Sequence, residues 1–521
     1  MSLQSIAAKI MFKLPDPILG KIMKFISPKK ETPKELDPKK YWHLQGNWAP
    51  VQKEKNIDEL EVIGELPKEL DGQYIRNGMN PKSGYSDHWF FGNGMVHGIN
   101  IQNGKASYKN RYVKTPYYED DMDMMSSSFD LKASPANTHV VRHAGKILAL
   151  EEAHFPWVID NDLETIGHHD FDGKLDGPMT AHPRVCPETN ELLFFGYKMM
   201  GKPYLMYHRV SSEGKLVQSE AIDIPRPVMM HDWNITRNFV IFMDLPLVFD
   251  MDKAVEGGDP FGFRPECGAR LGVMPRNGNN KDIKWIDVNP CFVFHPMNAY
   301  EEGNKIIIHV CRQDKAMVGG MDQIYGGDET TGKLWKWTID LSTQTCKEEQ
   351  IDDKPCDFAR VDDRKIGLKA DIGYAMELNN KAETLTFGNH LFKYNLDKGT
   401  REDHFLGDHT VGGEPLFAPN PNSNDEKDGY VIVSSQGDSS FNIYNRQEPY
   451  NYLGSFKVGS NKDIDNVNDT DGIDVINFNF GNKYPMGLFV LQDGTNDGKN
   501  KVKRQNFKYV SFADVLEKLD L

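Results

Sequence analysis

From about residue 45 onward the chain alternates short apolar and aromatic runs with clusters of Gly, Pro, Asn and Asp. KILAL (146–150), ELLFFGY (191–197), PYLMYHRV (203–210), NFVIFMDLP (238–246), KIIIHVC (305–311), KLWKWTIDL (333–341) and GYVIVSS (429–435) are of this kind. Such runs bounded by turn residues predict strands and hairpins rather than helices. A chain with this many strands must protect its sheet edges. A propeller does so by repeating four-stranded blades around a central channel. No clean repeat of about 40 residues is present, so periodicity alone leaves a propeller and a large sandwich level.

Helical spacing is confined to the two ends. Ile6, Ile10, Met11 and Leu14, then Ile18, Leu19, Ile22, Met23 and Ile26, recur on one face with lysines between them, and Pro15-Asp16-Pro17 divides the run. The other helical pattern is SFADVLEKLDL at 511–521. Residues 1–40 hold nine Lys against four Asp/Glu, a local excess of +5. That excess predicts either a peripheral helix pair in which residues 1–30 rest on an anionic bilayer, or a helix packed on the protein's own surface.

Composition narrows the class. With 39% hydrophobic and 26% charged residues among 521, the chain reads as globular and large enough for a substantial core. Its formal charge of −15 is the wrong sign for gripping a phosphate backbone, so no nucleic-acid partner is expected. The six cysteines form no CxxC pair, which predicts neither a zinc knuckle nor a disulfide framework and suggests a reducing, cytoplasmic setting. No unbroken apolar run is long enough to span a bilayer or to form a secretory signal.

Three of the sixteen histidines stand apart: His182 in MTAHPRV, His231 in PVMMHDWNIT and His295 in CFVFHPMNAYE. Each lies where a strand is predicted to begin or end, so blades around one axis could bring them together. Neutral imidazoles suit Fe(II), Zn and Cu, and an all-nitrogen set with open positions favours iron. His168 and His169 sit in a polar loop, and His88 and His97 are expected to pack or hydrogen-bond.

The ordered run GELPKELDGQYIRNGMNP (64–81), HWFFGNGMVHG (88–98), NTHVVRHAGKILALEEAHFP (137–156), TAHPRV (180–185), MMHDWNITRNFVIFMDLPLVFD (229–250), FVFHPMNAYE (292–301) and GEPLFAP (413–419) resembles the carotenoid cleavage oxygenase family. The likeness spans about residues 45–430 and is strongest to the microbial, carotenoid- and stilbene-cleaving branch. It implies an all-β, seven-bladed β-propeller with Fe(II) on its axis, cleaving an alkene C=C with O2 into two carbonyls. His182, His231 and His295 match three of the family's four iron ligands. Glu152 and Glu414 match carboxylates that hydrogen-bond the ligand imidazoles. Phe91 and Asn93 replace two acids of the family's pattern, at positions read as structural turns.

The fourth histidine of that family lies near the C-terminus, whereas this chain has none after His409. From about residue 430 the text instead resembles the C-terminal part of the β-propeller phytases. In that family SSQG, DTDGID and QDGxN segments contribute to a calcium cluster, matching Gln436, Asp469, Asp471, Asp474, Asp493 and Asn496. Oxygen donors of this kind suit Ca2+, and the same residues also make ordinary turns between strands. Asp471 or Asp474 is a candidate for the missing fourth iron ligand.

The expected organisation is therefore an amphipathic segment (1–40), an oxygenase-like propeller (41–430) and phytase-like terminal blades (431–521) within the same ring. The expected function is a non-haem Fe(II)-dependent dioxygenase acting on a carotenoid, apocarotenoid or stilbene-type alkene. The alternatives are a catalytically impaired propeller lacking the fourth ligand, and a calcium-dependent, phytase-like phosphatase. Lys114, in NRYVKTPYY, is read as an exposed strand lysine before a partner for a phenolic substrate.

Overall fold

The computed structural model describes residues 36–37, 41–44, 49–60, 72–86, 88–102, 105–250, 253, 260–316, 330–378, 387–406 and 415–419, and the backbone of six further strands between 429 and 511. The amphipathic residues 1–30 and the helical pattern after Ser511 lie outside the described residues.

Consecutive strands fold back on one another as antiparallel sheets, mostly four strands wide. In one of them Arg184–Val185, Leu192–Tyr197, Leu205–Val210 and Leu216–Ile222 follow in chain order. Its second strand, LLFFGY, is buried at every position, whereas the last, LVQSEAI, alternates between interior and solvent. The inner strand therefore packs on both faces, and the outer one forms a rim.

The same unit recurs with Asn234–Ile235, Phe239–Asp244, Ala269–Pro275 and Lys284–Val288. Between these two sheets lies one apolar layer that joins Phe195, Tyr207 and Ile222 to Trp233, Phe242 and Met274. Burying a large aromatic side chain contributes about 1.5–3 kcal/mol, so such layers are what fix one sheet against the next. Sheets stacked face to face around a common centre are the propeller architecture expected above.

Two departures from a plain meander matter. Lys55–Ile57 joins the outer edge of the first sheet by pairing with Lys105–Tyr112. The 16-residue strand Thr345–Arg360 serves two sheets, its first half pairing with Lys333–Asp340 and its end with Ile372–Leu378.

The two resemblances meet inside one sheet. Leu416–Pro419, from the oxygenase-like GEPLFAP, pairs with Gly429–Ser435, and Ser440–Asn445 and Tyr452–Phe456 complete the four strands. A three-stranded sheet of Ile473–Ile476, Leu488–Asp493 and Asn506–Ser511 follows.

Short helices that the strand pattern did not predict occupy the loop before the second sheet, at Pro116–Glu119 and Met124–Ser127. The second opens on a capping box between Asp123 and Ser126, a local signal readable in the sequence. No helix among the described residues is long and apolar enough to cross a membrane.

Candidate metal centre

His182 and His231 lie in the loops that lead into Arg184–Val185 and Asn234–Ile235, the first strands of two neighbouring sheets. His295 lies inside the strand Phe292–Glu302, where the register against Lys305–Gln313 slips between Val293 and Pro296. A bulge of this kind re-aims a side chain that the regular pleat would send elsewhere. Together these elements bring one ring nitrogen from each histidine to within 4.8 Å of the others. It is the one such His/Cys/Asp/Glu group among the described residues.

The rings meet edge to face: His182 to His231 at 4.6 Å, His231 to His295 at 5.2 Å and His182 to His295 at 5.6 Å between centroids. Nε2 of His182 is 3.1 Å from Nε2 of His231. Two nitrogens each about 2.1 Å from one ion, as imidazole nitrogens are from a bound metal, stand about that far apart when they occupy adjacent positions. Burial and the neighbouring imidazoles His231 and His295 push the His182 pKa well below its usual value, so the ring is neutral as a ligand must be. The donor set thus fits a divalent metal of the iron or zinc type.

Carboxylates hold two of the rings from behind. His231 Nδ1 donates to Glu152 Oε2 at 2.8 Å, and His295 Nδ1 to Asp357 Oδ1 at 3.1 Å. Donation through Nδ1 leaves Nε2 bare and turned inward, which fixes tautomer and aim together. Glu152 follows the strand Lys146–Leu150 in a turn that Glu151 ties down by accepting from the backbone N–H of Ala153 and from His154. The second oxygen of Glu152 accepts from the Tyr197 hydroxyl. Asp357, 3% exposed, sits at a second register slip, between Thr345–Arg360 and Ile372–Leu378, and also accepts from the Phe358 N–H at 2.8 Å.

His182 is held differently. Its backbone N–H donates to Thr180 Oγ1, and its carbonyl accepts from Trp233 Nε1, both at 3.0 Å. Asp232 Oδ2 stands 3.8 Å from His182 Nδ1, while Oδ1 accepts from Arg184 and from the Trp233 N–H. Phe294 meets His231 edge-on at 5.4 Å and Phe358 stacks on His295 at 5.0 Å, so aromatic surface adjoins the nitrogens.

Residues 48–448 match the retinal pigment epithelial membrane protein family, and residues 421–521 match the phytase family. A carotenoid cleavage oxygenase of Mycobacterium tuberculosis is 30% identical over 449 residues, covering 75% of this chain and 89% of the relative. The chain belongs to the carotenoid cleavage oxygenase family. Among further members, a Crocus sativus carotenoid 9,10(9',10')-cleavage dioxygenase is 34% identical, with 75% of this chain and 81% of the relative covered. The crystal structure of Pseudomonas brassicacearum lignostilbene dioxygenase superposes with a TM-score of 0.68 at 28% identity, covering 80% of this chain and 94% of that one.

In this carotenoid cleavage oxygenase family member the structure brings together His182, His231, His295 and Glu152. Glu414, Gln436, Asp469, Asp471 and Asn496 lie outside the described residues. Asp474 and Asp493 fall in strands whose backbone alone is described. Sequence reasoning missed Asp357, Tyr197 and the Asp232–Arg184 pair. Asp357 leaves little trace because its partner is 62 positions away and only the two bulges join them. Asp232 had a signal, adjacency to His231, but it serves the other side of the site.

Elsewhere, His97 Nδ1 meets the Tyr108 hydroxyl at 2.8 Å, and His88 stacks on Phe91 at 4.3 Å. Asn93 Oδ1 accepts from the Lys82 N–H at 2.8 Å, a turn-closing contact. Lys114 is exposed.

Proposed function

We propose that the protein is a non-haem Fe(II)-dependent oxygenase that cleaves the C=C of a carotenoid, apocarotenoid or stilbene-type alkene with O2 into two carbonyl products. The observation that carries this reading is the convergence of His182, His231 and His295, two of them braced by Glu152 and Asp357. Family membership and the carotenoid- and lignostilbene-cleaving relatives support the substrate class.

Bound Fe(II) supplies the redox chemistry through which O2 reacts with an alkene. The chain's own residues do the rest. Glu152 and Asp357 keep the Nδ1 protons of His231 and His295 in place, so both Nε2 lone pairs stay available at the axis. Phe294 and Phe358 set apolar ring surface beside the imidazoles, which suits an apolar substrate and disfavours water. The proposal extends to a seven-bladed ring whose last blades come from the phytase-like stretch. The fourth ligand position goes to Asp471 or Asp474, or else to water. Glu414 is assigned a bracing role like that of Glu152. Peripheral membrane contact through residues 1–30 would deliver a lipid-borne substrate.

A second reading, a calcium-dependent hydrolase using Gln436, Asp469, Asp493 and Asn496, rests on the match of residues 421–521 alone. The test is anaerobic purification of the full chain with iron and calcium quantified together, followed by O2-dependent cleavage of carotenoid and stilbene substrates. About one iron per chain and two carbonyl products from one alkene support the oxygenase. Calcium without iron, with phosphate release, overturns it. Iron with no turnover of any alkene gives the impaired propeller, whose motive is the lack of a histidine after His409.

A further inference from the structure

We infer that Tyr197 is a positioning residue of the metal site, acting through Glu152 on His231; this rests on the metal reading above. Tyr197 ends the strand Leu192–Tyr197 and is paired with Leu205 across the sheet, so its backbone is fixed by the ladder. The side chain is 4% exposed and belongs to the apolar layer between two sheets. Its hydroxyl reaches out of that layer to Glu152 Oε1, while Oε2 of the same carboxylate accepts from His231 Nδ1. A carboxylate accepts only, so the phenol is the donor. Burial and the charge of Glu152 hold the phenol pKa well above its usual value, so the donor persists through any working pH.

Two consequences follow from a carboxylate gripped at both oxygens. It cannot rotate about its terminal torsion, which is otherwise soft, so Oε2 stays on the Nδ1 proton of His231. Donation from the phenol also draws electron density from the carboxylate, so Glu152 polarises His231 less than a free carboxylate would. Removing the hydroxyl releases the first constraint, strengthens the second interaction, and leaves Oε1 half-buried without its partner. Asp357 has no such arrangement: its Oδ1 takes both His295 and a backbone N–H. The phenol is therefore specific to the His231 side.

The test uses Co(II) as the probe, added anaerobically to the metal-stripped full-length protein, with the visible ligand-field bands and the dissociation constant as readouts. Four proteins are compared: wild type, Y197F, E152Q and the double variant, with H231A as the ligand-loss control. The expected result is one Co(II) per wild-type chain. Y197F should bind about three- to tenfold more weakly with shifted bands, and E152Q about 10- to 100-fold more weakly. In the double variant the affinity should equal that of E152Q within about twofold, because the phenol acts only through the carboxylate. Y197M, which can repack as a flexible apolar side chain, carries the same expectation where the phenylalanine variant does not fold. Unshifted bands with unchanged affinity in Y197F, or an equal loss in the E152Q background, overturns this inference and leaves the metal reading intact. Wild-type protein that takes up no more cobalt than H231A overturns both.

Discussion

His231 and His295 each donate their outer N–H to a carboxylate, whereas His182, which meets both rings edge to face, has a carboxylate nearby that is already engaged. Glu152 and Asp357 lie 2.8 Å and 3.1 Å from the rings they brace, but Asp232 stands 3.8 Å from His182 and is bonded to Arg184. The difference is one of charge as well as aim. Among the described residues, Glu152 and Asp357 each bring an uncompensated negative charge to the ring they brace, whereas Asp232 is paired with Arg184, so His182 faces no free carboxylate. His182 is aimed instead by its backbone, pinned by Thr180 on one side and Trp233 on the other.

The largest effect should come from removing a ligand outright. H295A is expected to cut iron in anaerobically purified protein from near one per chain to below about a tenth, because two imidazoles hold a divalent ion far less tightly than three. Metal analysis per chain reads this directly, and a variant that keeps its iron would take His295 out of the site.

D357N should weaken metal binding about 10- to 100-fold, the usual effect of losing an outer carboxylate. D232N should change metal affinity by less than about threefold, yet lower the fold's stability by about 1–3 kcal/mol by taking the countercharge from Arg184, whose charge-assisted bond becomes one to a neutral amide oxygen. Titration of metal and of denaturant on both variants separates the two roles. Equal metal losses in the two would show that Asp232 braces His182 after all.

The same particulars show what could be read from the chain alone. The apolar runs became strands such as Leu192–Tyr197 and Lys305–Gln313 because alternation and flanking turns are local properties. The three histidines and Glu152 were legible because they sit in motifs that the family resemblance aligns. Asp357 was not, since its role depends on two register slips that no local pattern announces. Tyr197 was hidden for the opposite reason: it ends an apolar run and reads as core, which by packing it is. The junction at residues 416–435 was half legible: a change of resemblance was visible, but not that the strands on either side pair in one sheet.

A smaller effect concerns histidines outside the site. Burial lowers the pKa of His97 to about 3 and those of His208 and His309 to about 4. In the unfolded chain each would titrate near 6.5, so below that pH the unfolded state binds more protons than the folded one. Stability from these groups is therefore complete above about pH 7 and declines as pH falls toward 4, by up to about 1.4 kcal/mol per pH unit for each group. His309 contributes most cleanly, since neither ring nitrogen has a hydrogen-bond partner among the described residues. Denaturation of the metal-free chain between pH 7 and pH 5, with H309N or H309L alongside, checks the sign: wild type should lose stability on acidification, and the His309 variants should lose less.

The smallest effect sharpens the bulged side of the site. Phe358 has φ of 55°, in the left-handed region that a bulky residue rarely occupies, and its ring stacks on His295. That backbone costs about 1–2 kcal/mol in any residue but glycine. It is what lets Asp357 face His295 while the next residue turns its ring onto the same imidazole. F358G removes the strain together with the ring, and F358A removes the ring alone. The alanine variant should therefore be less stable than the glycine variant by about 1 kcal/mol, despite glycine's looser unfolded chain. Both should hold metal only about two- to threefold more weakly than wild type, because Asp357 still takes the His295 proton and the ring adds packing rather than a hydrogen bond. A metal loss as large as that of D357N would mean that the ring, and not the carboxylate, aims His295.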